Sequence, residues 1–267
     1  MAEHTSSLAD AGFRFEDASV LDFGCGCGRI LRYFARYAAK CKFTGADVDA
    51  DAIDWCRNTL TFADFVHRPK LPPTALPAAA YDAAFSFSVF THLPESAHVR
   101  WLAELARVLK PGGLLVLTIH GAHAVQRWLA GNTPSPYPTQ QMLAKSLPAL
   151  EKKGYLFYAF TRMDSPHAVN EKYWGAYDLS LYGNTFITRG YIEKNWLRDF
   201  ELVALHAAPD GWQDYVVLRR RGQDGDAGHR RRELGVERSP ARPDAARRES
   251  AGSSFPTCVS AAVAVGR

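Results

Sequence analysis

The 267-residue chain lacks any run approaching the roughly 18 consecutive apolar residues of a membrane-spanning helix. Its opening, MAEHTSSLAD, has neither a basic start nor an apolar core, so it does not read as a secretory leader. Cysteine is sparse: five residues, an odd number, at Cys25, Cys27, Cys41, Cys56 and Cys258, without the spacing of a disulfide framework. These absences point to free thiols in a reducing, cytoplasmic setting. Cys25-x-Cys27 is too tight for a zinc pair and no second pair follows, so no metal is expected. An excess of positive charge is also missing. The net charge of +4 is concentrated after Arg220, where nine arginines face six acids, and the remaining body is close to neutral. A basic footprint for nucleic acid is therefore absent from the part that should fold. No internal repeat is present, and 47% hydrophobic with 22% charged residues is ordinary for a globular protein.

What is present is alternation. Ser19–Phe23 is a short apolar run interrupted by Asp22, as in a buried parallel strand. Gly28–Lys40 carries Ile30, Leu31, Phe34 and Ala38 at helical spacing. Lys42–Ala46 reads as a second strand, stopped by Asp47, and DVDADAIDWCRNTL (47–60) as a helix with an acidic start. Phe62–Val66 is a third strand. The Pro-rich HRPKLPPTALPAAA leads to a fourth, YDAAFSFSVF (81–90). Ser96–Leu109 is helical, with Val99, Leu102, Ala106 and Leu109 on one face; KPGG ends it, and Leu114–Ile119 is a fifth strand. Further on, 131–138 is a loop, Gln140–Lys153 a helix and Tyr155–Phe160 a strand. Residues 163–186 show no clean period, Thr188–Phe200 is helical, and ELVALHA and YVVLRR are two antiparallel closing strands. Strand and helix alternating in this way predict an α/β fold, a parallel sheet covered by helices on both faces. Ligands of such sheets bind outside the carboxyl ends of the strands, which aligns Gly24–Gly28, Asp47, His67, Ser88 and His120 along one edge.

The turn in VLDFGCGCGRI (20–30) has glycine at 24, 26 and 28. Glycine has the largest ordering cost of any residue, so three in five positions mark a place where backbone must come close to a ligand. The dinucleotide fingerprint needs G-x-G-x-x-G, and here the third glycine is one residue early, which disfavours NAD. VLDFGCGCGR resembles instead the first motif of the class I S-adenosylmethionine (SAM)-dependent methyltransferases, an acid followed by G-x-G-x-G at the end of the first strand. FSFSVFTHLPES resembles the fourth-strand motif of that family, and LARVLKPGGLLVL the helix, turn and strand that follow. The likeness covers about residues 18–120.

The resemblance implies a Rossmann-like, doubly wound, mostly parallel seven-stranded sheet with an antiparallel closing hairpin, and SAM as cofactor. In that reading Asp22, Gly24, Cys25, Gly26 and Gly28 surround the aminocarboxypropyl end of SAM. A helix N-terminus at Gly28 would offer amides to its carboxylate, and Asp22 would accept from its ammonium. Asp47 would hold the ribose hydroxyls, though it can also serve as an N-cap, and Val48 would pack on the adenine. The group that reads the adenine amine is open between Asp64 and His67. Phe87 and Ser88 would lie under the methionine arm. Methyl transfer to a hydroxyl needs alignment and a base for its proton. The histidines on the correct edge, His92 and His120, are the catalytic candidates, with His123 behind them; each also has a plain structural reading. His167 and His206 are surface or structural.

Residues 1–220 are expected to form one methyltransferase domain, with 18–120 as the SAM-binding half and 121–200 as an acceptor-pocket or lid insertion. Residues 221–267 read as a disordered basic tail. NEKYWGAYDLSLYGNTF (170–186), with three Tyr, one Trp and one Phe, suits a small-molecule or saccharide acceptor, or a packed lid. Only nineteen residues precede Val20, so either the second half supplies the cap over SAM or the form is shortened with an open site. No base-flipping Asn/Asp-Pro-Pro-Tyr motif is present, and neither a nucleic-acid nor a membrane partner is expected. The competing readings are a SAM-fold binding module without activity and an NAD-dependent oxidoreductase.

Overall fold

The computed structural model describes residues 12–133, 135, 137–160, 179–207 and 212–222. Among these described residues nine strands form: β1 (Ala18–Phe23), β2 (Cys41–Asp47), β3 (Asp64–His67), β4 (Tyr81–Ser86), β5 (Leu109–Ile119), β6 (Tyr155–Ala159), β7 (Gly183–Ile187), β8 (Phe200–Ala207) and β9 (Asp214–Arg220). The helices are α1 (Ala50–Thr59), α2 (Glu95–Val108), α3 (Ala122–Leu129), α4 (Gln140–Lys153) and α5 (Arg189–Asn195). Seven strands make one sheet in the order β3-β2-β1-β4-β5-β9-β8. β1 to β5 pair in parallel, and β9 inserts antiparallel between β5 and β8. This is the expected α/β architecture with its antiparallel closing pair.

Period-two alternation of apolar residues builds a core on each face of the sheet. On one face Leu21 and Phe23 of β1 meet Trp101, Leu102 and Leu105 of α2, with Trp196 and Ile192 beside them. On the other, Val20 joins Leu31, Phe34, Phe43, Ile53 and Phe85. A smaller cluster of Trp128, Leu143, Leu150 and Phe186 lies beneath α3 and α4.

Three expectations are corrected. The segment after the glycine turn is not an α-helix from Gly28; it is a short 3-10 stretch, Leu31–Tyr37. Gly24, Gly26 and Gly28 all have positive φ (84°, 51° and 67°), outside the right-handed helical range, and the Gly28 N–H is spent on Cys25 O. Gly28 therefore presents no helix N-terminus to an anion. Second, Val99 is exposed, and the buried face of α2 is formed by Ala97, His98, Trp101, Leu102, Leu105 and Val108. Third, the stretch without a clean period contains β7, which pairs antiparallel with β6 in a separate two-stranded sheet. Much of the aromatic segment, residues 170–178, lies outside the described residues, as do His167 and residues 223–267.

The Pro-rich connection from β3 to β4 is pinned to α2 by one carboxylate. Glu104 accepts from Thr74 N–H (2.8 Å), Thr74 Oγ1 (2.5 Å) and the Arg107 guanidinium (2.7 Å). The Arg107 hydrogen bonds, joined by those from Thr74 and opposed by burial, pull the Glu104 carboxyl down to about 2. An unfolded Glu titrates near 4.3, so this stabilisation is complete above that pH and is lost as pH falls toward 2. Glu104→Gln is expected to cost about 1–3 kcal/mol in urea unfolding at pH 7. The gap from the wild type should shrink as the pH is taken below about 4; a gap that does not change with pH would assign the effect to packing.

Candidate functional site

The carboxyl ends of β1, β2 and β4 open into a cleft of about 180 Å³, partly exposed to solvent. Gly24, Gly26, Asp47 and Val48 line one side, Phe87, Ser88, Val89, His92 and Leu93 the other, and Arg68, Lys70, Leu181 and Tyr182 close it.

The glycine turn is shaped by two different demands. A Cβ on Gly24 would overlap Cγ2 of Val89, so the absence of a side chain there lets the first loop pack against the loop after β4. Gly26 has open space where a Cβ would stand, and it lines the cleft, so its bare backbone faces whatever binds. Asp47 is 6% exposed, and its carboxylate points at this turn: Oδ2 accepts from Gly26 N–H (2.8 Å) and Oδ1 from Asp49 N–H (2.9 Å). Each oxygen retains a further lone pair for a ligand hydroxyl. The N-cap of α1 is Asp49, which accepts from Ala52 N–H, so Asp47 is released from that role.

Behind the turn, Asp22 is 2% exposed and its Oδ2 has no hydrogen-bond partner. Burial, and secondarily the charge of Asp47, hold its carboxyl well above the usual carboxylate range. Cys25 is buried as well, its thiol pushed up chiefly by desolvation, so it is not a nucleophile in this setting. Gly28 does not line the cleft; a Cβ there would overlap Leu60. His67 is the last residue of β3, exposed, and donates through Nε2 to Val48 O (3.0 Å), outside the lining. Asp64 opens the same strand, also outside the cleft.

Beyond β3 the cleft is lined by Arg68 and Lys70, which the sequence reading did not single out. The Arg68 guanidinium stacks over Phe23 (4.3 Å) and Trp101 (4.9 Å), and its backbone amide donates to Asp47 O. Its signal in the sequence was weak, a cation in a Pro-rich loop, because its aromatic partners lie far away in the chain.

On the opposite wall, Ser88 adopts φ +55°, a left-handed conformation that costs a non-glycine residue energy. Its amide donates to Thr118 Oγ1 (2.9 Å) and its hydroxyl accepts from Gln213 Nε2 (2.7 Å). His92 faces the cleft from the next turn. Its Nδ1 lies 2.7 Å from the carbonyl of Gly183, and since a carbonyl only accepts, Nδ1 carries the proton and Nε2 is the basic nitrogen. Gly183 belongs to β7, which is joined main chain to main chain to this loop. Gly183 N–H donates to His92 O, Thr185 N–H to Thr91 O, and Ile187 N–H to His120 O. Thr185 Oγ1 adds a bond to Leu93 O (2.5 Å). Tyr182, among the described residues the one aromatic of the sequence-predicted acceptor segment that lines the cleft, has its phenol pushed up to about 12 by burial, with the Asp47 charge adding.

The two catalytic candidates separate. His120 sits 6.0 Å from His92, ring to ring, but it is buried against Trp128 and Phe186, donates to Thr185 O, and lies outside the cleft. Burial drives it down to about 3, so it is a neutral structural group at physiological pH. His98 behaves likewise beneath the same loop, bonded to Phe90 O and lowered to about 3 by burial. His123 pairs with Asp214 in a different cavity, and His206 stacks on Tyr215. Among the described residues no group of three or more His, Cys, Asp or Glu is arranged to hold a metal ion, and no helix is long and apolar enough to cross a membrane.

With this geometry in view, the likeness to known proteins is specific. A methyltransferase-domain family profile matches residues 20–113. A fatty-acid O-methyltransferase of Mycolicibacterium smegmatis is 36% identical over 118 residues, 43% of this chain and 40% of that protein. A trans-aconitate 2-methyltransferase of Azoarcus sp. is 26% identical over 162 residues, 59% of each chain. The chain thus spans between 40% and 59% of the length of these relatives. A SAM-dependent methyltransferase of Methanosarcina mazei shares the fold, with a TM-score of 0.55 at 17% identity over 80% of this chain and 97% of that one. The bare-backbone turn, the carboxylate at the end of β2, the sheet order and these likenesses agree: residues 20–113 form a methyltransferase domain of the class I SAM-dependent type.

Proposed function

We propose that the chain transfers a methyl group from SAM to an oxygen, most simply a hydroxyl, of a small organic acceptor, with His92 as general base. One observation carries this reading: a single cleft holds the glycine turn and Asp47 on one side and His92 with Tyr182 on the other. The residues fit the cofactor. Gly26 offers backbone without a side chain, Asp47 has lone pairs for ribose hydroxyls, and Asp22 keeps a buried carboxyl oxygen behind the turn for an ammonium group. Val48 and Phe87 supply apolar walls for the adenosyl and methionine portions, with Ser88 beside them. When bound, SAM supplies an electrophilic methyl on a sulfonium whose leaving group is a neutral thioether.

The protein's part is alignment and proton removal. His92 Nε2 would take the proton of the acceptor hydroxyl as that oxygen becomes the nucleophile. The Gly183 carbonyl keeps the proton already on Nδ1 and fixes the ring. Tyr182 remains a neutral phenol, able to donate to the acceptor. The names of the two relatives, one an O-methyltransferase and both acting on small organic acids, support a small acceptor. The nearly neutral body and the apolar walls support the same class.

Calorimetric titration with S-adenosylhomocysteine and, separately, NAD tests the cofactor. The adenosyl ligand should bind and NAD should not; the reverse would return the oxidoreductase reading. Asp47→Ala should weaken S-adenosylhomocysteine by about 1–3 kcal/mol, the cost of leaving hydroxyls unpaired. Unchanged affinity would remove Asp47 from the ribose.

With SAM and a panel of phenolic and hydroxy-acid acceptors, His92→Ala should lower kcat by about 10²- to 10⁴-fold while S-adenosylhomocysteine affinity is kept. The acidic limb of the wild-type pH–rate profile should disappear in the variant. A profile that keeps this limb would show that the base lies elsewhere.

A further inference from the structure

A second cavity, about 490 Å³ with part of it open to solvent, lies beside the end of β5 and shares no lining residue with the cofactor cleft. Its walls are apolar and come from five elements: Ile119 of β5, Val125 of α3, Leu147 and Leu150 of α4, Ile187 of β7 and Leu205 of β8. At one end stands a polar pair the methyltransferase reading does not use. Asp214, the first residue of β9, is 5% exposed, and its Oδ1 accepts from His123 Nδ1 at 3.2 Å. A Cβ on Gly121 would overlap Asp214 Oδ2, so a glycine there is what allows the carboxylate to sit beside the first turn of α3. The bond to Asp214 fixes the proton on Nδ1 and makes Nε2 the acceptor nitrogen of His123, whose side chain is 56% exposed.

The charges choose the ligand. An anion at this end would face the Asp214 carboxylate. The other titratable groups on the wall are Glu151 and Arg189, opposite in sign, and His206; Arg189 is engaged by Glu193 at 2.7 Å and His206 stacks on Tyr215. Among the described residues on the wall, the one arginine or lysine is Arg189, already paired with Glu193. A neutral hydroxyl, by contrast, can donate to Nε2 while an aliphatic or aromatic body fills the apolar walls.

We propose that this cavity is a second ligand site, taking a neutral small molecule with an apolar body and one hydroxyl group, the hydroxyl held by the His123–Asp214 pair. The site is independent of the methyl-transfer reading and stands or falls separately from it.

The probe is 1-naphthol, titrated into the full chain by fluorescence. Saturable one-to-one binding is expected, undisturbed by saturating S-adenosylhomocysteine. Leu147→Trp, which fills the cavity from a half-buried position on α4, should abolish it. His123→Phe should weaken it about 3- to 10-fold, the loss of one hydrogen bond. Thermal melting and S-adenosylhomocysteine binding of both variants show that they are folded; should Leu147→Trp not fold, Val125→Phe replaces it. Absence of saturable binding, binding that survives the filled cavity, an unchanged affinity in His123→Phe, or displacement of naphthol by S-adenosylhomocysteine would each overturn the proposal.

Discussion

One hydrogen bond organises the cofactor side of this molecule: the Asp47 carboxylate on the amide of Gly26, 2.8 Å away. It ties the end of β2 to the turn after β1, and the turn can accept it only because three left-handed glycines curl the chain back toward the sheet. Two further bonds hold the same edge, from the Gly24 amide to Ala46 O and from the Arg68 amide to Asp47 O. The hollow is thus bounded by backbone on one side and by a carboxylate already oriented on the other. A ligand hydroxyl that reaches Asp47 meets a group whose rotamer is set beforehand, so little ordering cost is left for binding.

The opposite wall is built by long-range contacts. β7 is bonded main chain to main chain to Thr91, His92 and His120, and the Gly183 carbonyl decides which nitrogen of His92 is basic. A residue in the second half of the chain therefore sets the chemistry of a residue in the first. Gly183 has to be glycine for this contact, since a Cβ would overlap the carbonyl of Tyr158 on the paired strand.

The sequence made the sheet legible because its signals are local. Apolar runs ending in Asp22 and Asp47, acids before α1 and the Pro-Gly-Gly after α2 each depend on a few neighbouring residues, and the strand order agrees with the resemblance they support. The stretch after Gly28 misled because apolar spacing alone does not show that Gly28 is left-handed and that the turn after it is a 3-10 stretch. Val99 misled for a related reason: one outward apolar residue falls on a helical template that Trp101 and Leu105 satisfy better. Within the site, Gly24, Gly26, Asp47, Val48, Phe87, Ser88 and His92 were placed on the cleft by motif and spacing. His120 and His67 share the right sheet edge but turn into the core or onto Val48, and edge position carries no information about side-chain direction. Arg68 stayed hidden because stacking on Phe23 and Trp101 is a tertiary fact.

The weld between the small β6–β7 sheet and the loop after β4 bears on traffic. Three main-chain hydrogen bonds, the Thr185 hydroxyl on Leu93 O and the Tyr155 hydroxyl on the same oxygen would all have to break for that hairpin to swing aside. At about 1 kcal/mol each, with the apolar seam between them also exposed, such an excursion is rare compared with the motion of an ordinary surface loop. The hairpin is accordingly a fixed roof and not a door.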